Sequence, residues 1–378
     1  MKAKSIKGSS LQEVQSALEQ CITGNYKPTL AFVFLTELGD IDAVSAMFDN
    51  AGISIFGAST SEKFTEQGVE TDGIVVLLLD INPADFKIVL KDYKDAPVYD
   101  SASDIGALGK CIFDHPAFII SGADYKIPGE VIIKGILDKA GKDVTIIGGM
   151  AGETVNFTGT VFTNGAKAHS GIISLILNED KIAVKGIAVS GWKAVGTEKR
   201  ITKSEGSWIY TIDNEPAMHV IKKFLGSKVA EGEHSEEVIP LDISFPLQIQ
   251  RESGKPMMLP FLLWNTTNDA VMIGGPITEG ALFRFSLPPD LEVIDTVIES
   301  SRTIKENELP DADAMLIFSC VGRLSSLGPM SATEIDGLAE TWNKPMAGFY
   351  SLGEFGKIDN NPPQFHGTTV SWVALKEK

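Results

Sequence analysis

The chain has 378 residues, 43% of them hydrophobic, and a mean hydropathy of +0.07, enough apolar matter to fill two domains or three. Its net charge is −17 and its pI is near 4.8. Such a surface repels phosphate backbones and anionic lipid heads, so neither nucleic acid nor membrane is an expected partner.

The start, MKAKSIKGSS, is basic but is followed by no apolar run, so it is not a secretory signal. Ser10-Leu11-Gln12-Glu13 has capping-box spacing, and Leu11, Val14, Leu18 and Ile22 follow at helical intervals, with Gly24 as a stop. LAFVFLT (30–36) predicts a buried strand. Residues 39–52 predict a helix capped by Asp40 and stopped by Gly52. ISIFGAST predicts a second strand running into a glycine loop, and GIVVLLLD (73–80) a third, its apolar run far too short to span a bilayer. The same order returns with a strand at 116–121, a helix at 128–141 and VTIIGGMAGE (144–153), then hairpin strands. It returns again with AMLIFSC (314–320), a helix at 331–342 opened by a Ser331–Glu334 capping box, PMAGFY, a Gly-Glu loop, and a last strand at 366–375.

One supersecondary word is therefore written three times: strand, helix, strand ending in a Gly-rich loop with a glutamate, then an outer strand. The glutamates are Glu62, Glu153 and Glu354. Between the second and third copies the text differs. Residues 208–226 read as strand, turn and helix. FPLQIQ, MMLPFLLW, AVMIGGPI and ALFRFSL read as an antiparallel meander, followed by a helix over 288–306 that begins at Asp290. The polar stretch 196–207 is the predicted boundary between domains 1–200 and 201–378. Cys21, Cys111 and Cys320 are odd in number, far apart and without a CxxC, so neither a disulfide framework nor a zinc ribbon is expected and a reducing cytoplasm fits best.

In the last copy, a βαβ crossover puts the carboxyl ends of both strands on one sheet edge, where ligands of open α/β sheets bind. That edge gathers Ser319, Cys320, Gly322 and Arg323 from one strand and Tyr350, Gly353 and Glu354 from the next. Arg323 offers a planar fork for a carboxylate, and Glu354 can hold an ammonium or a hydroxyl, the two halves of a site for a zwitterion such as an amino acid. Plainer readings stand beside these: Arg323 in a solvated pair with Glu334 or Glu354, Glu354 capping loop amides, Tyr350 as packing, and Cys320 as a small core hydrophobe. The last strand can also bring His366 back to Cys320 as a nucleophilic pair, although no orienting Asn or Asp is evident. His115, His169, His219 and His234 are scattered, and no metal or cofactor site is expected. Walker A, GxGxxG after a strand, HExxH and GxSxG are all missing from the sequence.

The succession MLIFSCVGR, MAGFYSLGEFG and FHGTTVSWVAL resembles the C-terminal part of the FIST family of sensory proteins. SWIYTIDNEPAMHVIKKFLG is similar to the opening of that domain, and GASTSEKF, GGMAGE and VFTNG are similar to its N-terminal partner. The resemblance runs from about residue 28 to 375. It implies an intracellular sensor for a small ligand, with amino acids the proposed class, either alone or joined to signalling output domains; this chain reads as one that stands alone. Relatives commonly carry an arginine in the middle meander where this chain has PMMLPFLLWNTTND, which puts that ligand contact in doubt.

The expectation is thus a mixed α/β protein of two domains, with mixed sheets flanked by helices, acting as a non-enzymatic sensor of a small polar metabolite. Ser319, Cys320, Gly322, Arg323, Tyr350, Gly353, Glu354 and His366 are its binding residues, and the signal passes to a protein partner or into a shift between the domains. The competing class is a Cys- or Glu-dependent hydrolase or transferase, which requires a reactive, low-pKa Cys320.

Overall fold

The computed structural model describes residues 1–36, 40–124, 127, 129–153, 158–226, 237–241, 243–251, 255–287, 290–358 and 361–378. His234, and the residues 39, 128 and 288–289 with which three predicted helices begin, lie outside the described residues.

The repeat seen in the sequence is the plan of a mixed α/β fold. The first unit runs from strand Lys2–Gly8 through helix Leu11–Cys21, strand Leu30–Leu35, helix Ile41–Asn50 and strand Ser54–Ser59 to the hairpin Lys63–Thr65 and Gly68–Glu70, and returns along Ile74–Asp80. The second unit repeats this order, with central strands Pro116–Gly122 and Ile146–Gly149, hairpin Val161–Thr163 and Ala166–Ala168, and return strand Gly171–Asn178. The third has central strands Ala314–Cys320 and Met346–Ser351, hairpin Glu354–Gly356 and Gln364–His366, and return strand Val370–Glu377. In every unit the two central strands are parallel, the other strand pairings among the described residues are antiparallel, and one isolated parallel bridge, Thr60–Gly152, joins the first and second exits.

Each hairpin leaves its own unit. That of the first unit pairs with Met346–Ser351 of the third, that of the second with Ser54–Ser59 of the first, and that of the third with Ile146–Gly149 of the second. The exchange closes into a ring of three six-stranded sheets. Their inner faces share one hydrophobic cluster, in which Phe32, Phe34, Ile119, Ile147, Phe318 and Phe349 are all fully buried. Continuous apolar runs such as LAFVFL and AMLIFSC suit this position, because helices cover the other face of the same strands.

The three strand exits meet at the centre of this ring. Met150 N donates to Gly353 O (2.7 Å), Leu352 N to Met150 O (3.0 Å), Gly152 N to Ser59 O (3.0 Å) and Tyr350 N to Glu62 O (2.9 Å). Buried backbone groups that leave a sheet need partners, and here each exit satisfies another.

The third unit is interrupted after strand Ile182–Val189 by an antiparallel sheet, nine-stranded among the described residues, with the helix Ala217–Leu225 and a core of its own. The polar stretch 196–207 lies largely within a strand of that sheet, Ala194–Glu205, whose Lys and Glu side chains face solvent while Ile201 points into the core.

Local signals hold in part. Ser10 caps the first helix, accepting from Glu13 N, but Glu13 reaches back to Ser9 N (2.8 Å) rather than to Ser10. Asp290 caps the helix Leu291–Asn307 as expected. Asp40 makes no side-chain cap. The expected Ser331–Glu334 capping box does not form. Ser331 is already the first helical residue, its hydroxyl donating to Gly328 O, and Glu334 is taken by another partner.

Candidate functional site

The residues after Cys320 do not continue as a loop. Val321–Leu327 is a short helix whose N-cap is Cys320, the thiol sulfur accepting from Gly322 N at 3.4 Å. This turn carries Arg323 away from Glu354. Arg323 is fully buried and forms a fork on Glu334, with Nε donating to Oε2 at 3.0 Å and Nη2 to Oε1. Nη1 donates to Ser190 O at 2.5 Å, and the guanidinium lies 4.9 Å from the Trp192 ring. A guanidinium so occupied is a packing element. Of the two partners weighed from sequence, Glu334 is the one it takes, and the pair is buried rather than solvated.

Glu354 opens the strand Glu354–Gly356 and is fully buried. Its Oε1 accepts from Ser351 Oγ (2.6 Å), and its Oε2 accepts from Thr369 Oγ1 (2.8 Å) and Thr369 N (3.2 Å). Burial pushes its pKa up to about 8, against the opposing pull of those hydrogen bonds. This favours the protonated form at neutral pH, in which Oε1 donates to Ser351 Oγ while that hydroxyl donates to Ser319 O (3.3 Å), and in either form the carboxyl ties the third exit to the start of the last strand. Burial, then the nearby Glu354, also push the Cys320 thiol well above its ordinary range, the opposite of the shift an activated nucleophile needs.

Strand parity sorts the remaining residues. Ser319 and Tyr350 sit opposite each other in the parallel pair, and Tyr350 packs under the outer helices, its ring 5.4 Å from Phe64. Gly353 makes room for a ring, since a Cβ there would lie 2.2 Å from Phe365, and one at Gly129 would lie 2.3 Å from the same side chain. Phe365 is thus seated between two glycines. Cys320, Gly322 and His366 do converge, on a recess of about 60 Å³ whose walls also include Leu262, Gly274 and Phe365.

Those last three residues also line a larger cavity of about 320 Å³ between the three-unit body and the inserted sheet. Its wall is mostly apolar and rich in methionine (Met150, Met257 and Met272), and Glu130 is the charged residue on it among those described. Glu130 Oε1 accepts from Arg251 Nη2 at 3.0 Å, and Arg251 also donates to Phe365 O (2.8 Å) and Gln364. Burial raises the Glu130 pKa and lowers that of Arg251, each acting against the attraction of the other group. Sequence reasoning passed over Glu130, Arg251, Phe365 and the methionines. A lone charge in a helix or strand carries no spacing signal, and PMMLP reads as core. The meander position noted for its missing arginine supplies cavity wall instead, at Met257, Leu259 and Leu262.

The scattered histidines have separate partners: His115 pairs with Asp180, His169 with Thr160 and His219 with Asp269. No helix among the described residues is long and apolar enough to cross a membrane.

A comparison with curated proteins returned no match. FIST domains are associated with sensing in signal transduction. Residues 29–215 match the FIST N domain and residues 217–357 match the FIST C domain, and the cavity is walled by both segments. The chain belongs to the FIST family.

Proposed function

We propose that this chain senses a small metabolite bound in the 320 Å³ cavity, and that the ligand is a net-neutral zwitterion with an apolar side chain, an amino acid being the simplest example. The observation that carries this is the cavity itself, which has the volume of a small-ligand site and joins both matched segments. Its methionine wall adapts to an apolar side chain. Glu130 offers its carboxylate on the cavity wall to the ligand's ammonium, and in this reading Arg251, which pairs with Glu130 at 3.0 Å, would turn to the ligand's carboxylate. In this reading Cys320 and His366 are inner wall, Gly353 positions Phe365, and Arg323 and Glu354 stabilise the frame. Met150 is both cavity wall and a partner in the central junction of strand exits, so occupancy would reach the other units and pass to a protein partner or into a shift between the segments.

Thermal-shift measurement with amino acids, simple amines and simple carboxylates tests this. Ligand at a hundredfold excess over its Kd stabilises the fold by about 2.7 kcal/mol. Apolar amino acids are expected to raise the Tm, and Glu130→Gln and Met272→Trp are each expected to abolish the rise. Failure of every amino acid, or a rise that survives both substitutions, would refute the proposal.

A further inference from the structure

The small inner recess has a chemistry that the outer cavity lacks. His366 lines it and is fully buried. Its Nε2 lies 3.2 Å from Gly356 O. A carbonyl only accepts, so the ring proton belongs on Nε2, and Nδ1 is left as a bare acceptor. Nδ1 has no hydrogen-bond partner among the described residues. Burial, together with the positive charge of Arg251, lowers the His366 pKa to about 3, so the ring stays neutral at physiological pH. Burial also keeps the proton on Cys320 and pushes Glu354, whose oxygens are engaged by Ser351 and Thr369, toward its neutral form. A buried acceptor without a donor is costly, so a group that reaches it with a donor is favoured over one that does not.

We propose that the inner recess is a specificity subsite, in which His366 Nδ1 accepts a hydrogen bond from an uncharged donor (a hydroxyl, an amide N–H or a ring N–H) at the apolar end of the ligand. The inference rests on the cavity reading above and adds a second requirement to it. Leu262, Gly274 and Phe365 wall both spaces and so place them side by side, and the proposal requires that one molecule reach from one into the other. At about 60 Å³ the recess takes a small terminal group and no more.

The test uses uncharged probes on the full chain: phenol against benzene and indole against indene, titrated by calorimetry. The donor-bearing member of each pair is expected to bind about three- to tenfold more tightly, the worth of one net hydrogen bond. His366→Phe keeps a ring and removes the acceptor, and should bring both ratios to about one. In the unaltered protein, the ¹⁵N resonance of His366 Nδ1 should move on addition of phenol and stay in place with benzene, a readout that survives if the variant fails to fold. Equal affinities, no binding of any probe, an unchanged ratio in the variant, or identical Nδ1 shifts with both probes would each overturn the proposal. Since no probe is charged, a failure of amino acids to bind at Glu130 leaves these results unaffected, and the two readings fall separately.

Discussion

Arg323→Met isolates what the buried guanidinium does. In the folded protein Arg323 and Glu334 are 0% and 1% exposed and meet as a fork, so the substitution strands a carboxylate in the interior. It also takes donors from Ser190 O and Thr368 O and removes the cation–π contact with Trp192. Breaking one side of such a pair costs about 3–5 kcal/mol, whereas replacing both partners with apolar groups is often close to neutral. Urea denaturation of Arg323→Met, Glu334→Leu and the double variant should show two large single losses and a double variant recovering most of either. The double variant should also keep any ligand-induced rise in Tm, since neither residue lines the cavity. Single losses below about 1 kcal/mol would refute the structural assignment. A double variant that folds well but no longer responds to ligand would return Arg323 to the binding site.

Three further outcomes follow from buried groups. Glu354, at about 8 against an ordinary 4.5, holds an extra proton in the folded state, so its contribution to stability falls as pH rises between those values. His366, at about 3 against 6.5, acts in the opposite sense below pH 6.5, which leaves an uncompensated fall between pH 6.5 and 8 that approaches about 1.4 kcal/mol per unit. Urea midpoints across that interval should show this fall in the unaltered protein and lose it in Glu354→Gln; a slope that persists in the variant would assign it to another group. Iodoacetamide near neutral pH should alkylate exposed Cys111 and spare Cys320 until the protein unfolds, and rapid modification of Cys320 in the native state would revive the enzyme reading. Gly353→Ala should displace the Phe365 ring and weaken ligand binding in the cavity while the protein remains folded; unchanged binding would show that the ring has room to yield.

Periodicity and turn chemistry made the three units legible, because the central strands are short, mostly apolar runs such as LAFVFL and AMLIFSC that alternate with capped or amphipathic helices. What they left hidden was the destination of the hairpins. Lys63–Thr65 carries the same local signals whether it pairs at home or on Met346–Ser351, since strand pairing between segments so far apart in the chain is settled by packing and not by local propensity. The candidate site shows the same division. Alternation along 314–320 separates Cys320 from Ser319, but nothing in SCVGR announces that the chain turns helical there and carries Arg323 to Glu334. Charge pattern offered Arg323 two carboxylates, Glu334 and Glu354, and the tertiary fold chose between them.

The exchange of hairpins also explains why the cavity lies where it does. A unit that kept its own hairpin would close its sheet edge alone, and its strand exit would need no neighbour. Here Met150 N is satisfied by Gly353 O, and Leu352 N by Met150 O, so the second and third exits hold each other's backbone. The inserted sheet lies against this shared junction, and the gap between them is lined by Met150 from one unit and Phe365 from another. A ligand in that gap touches residues whose positions depend on two units at once. In the proposed reading, a ligand that fits one arrangement of the junction better than another would bias the junction and not a single loop, which is the mechanical requirement for a binding event to be felt across a body built of three interlocked parts.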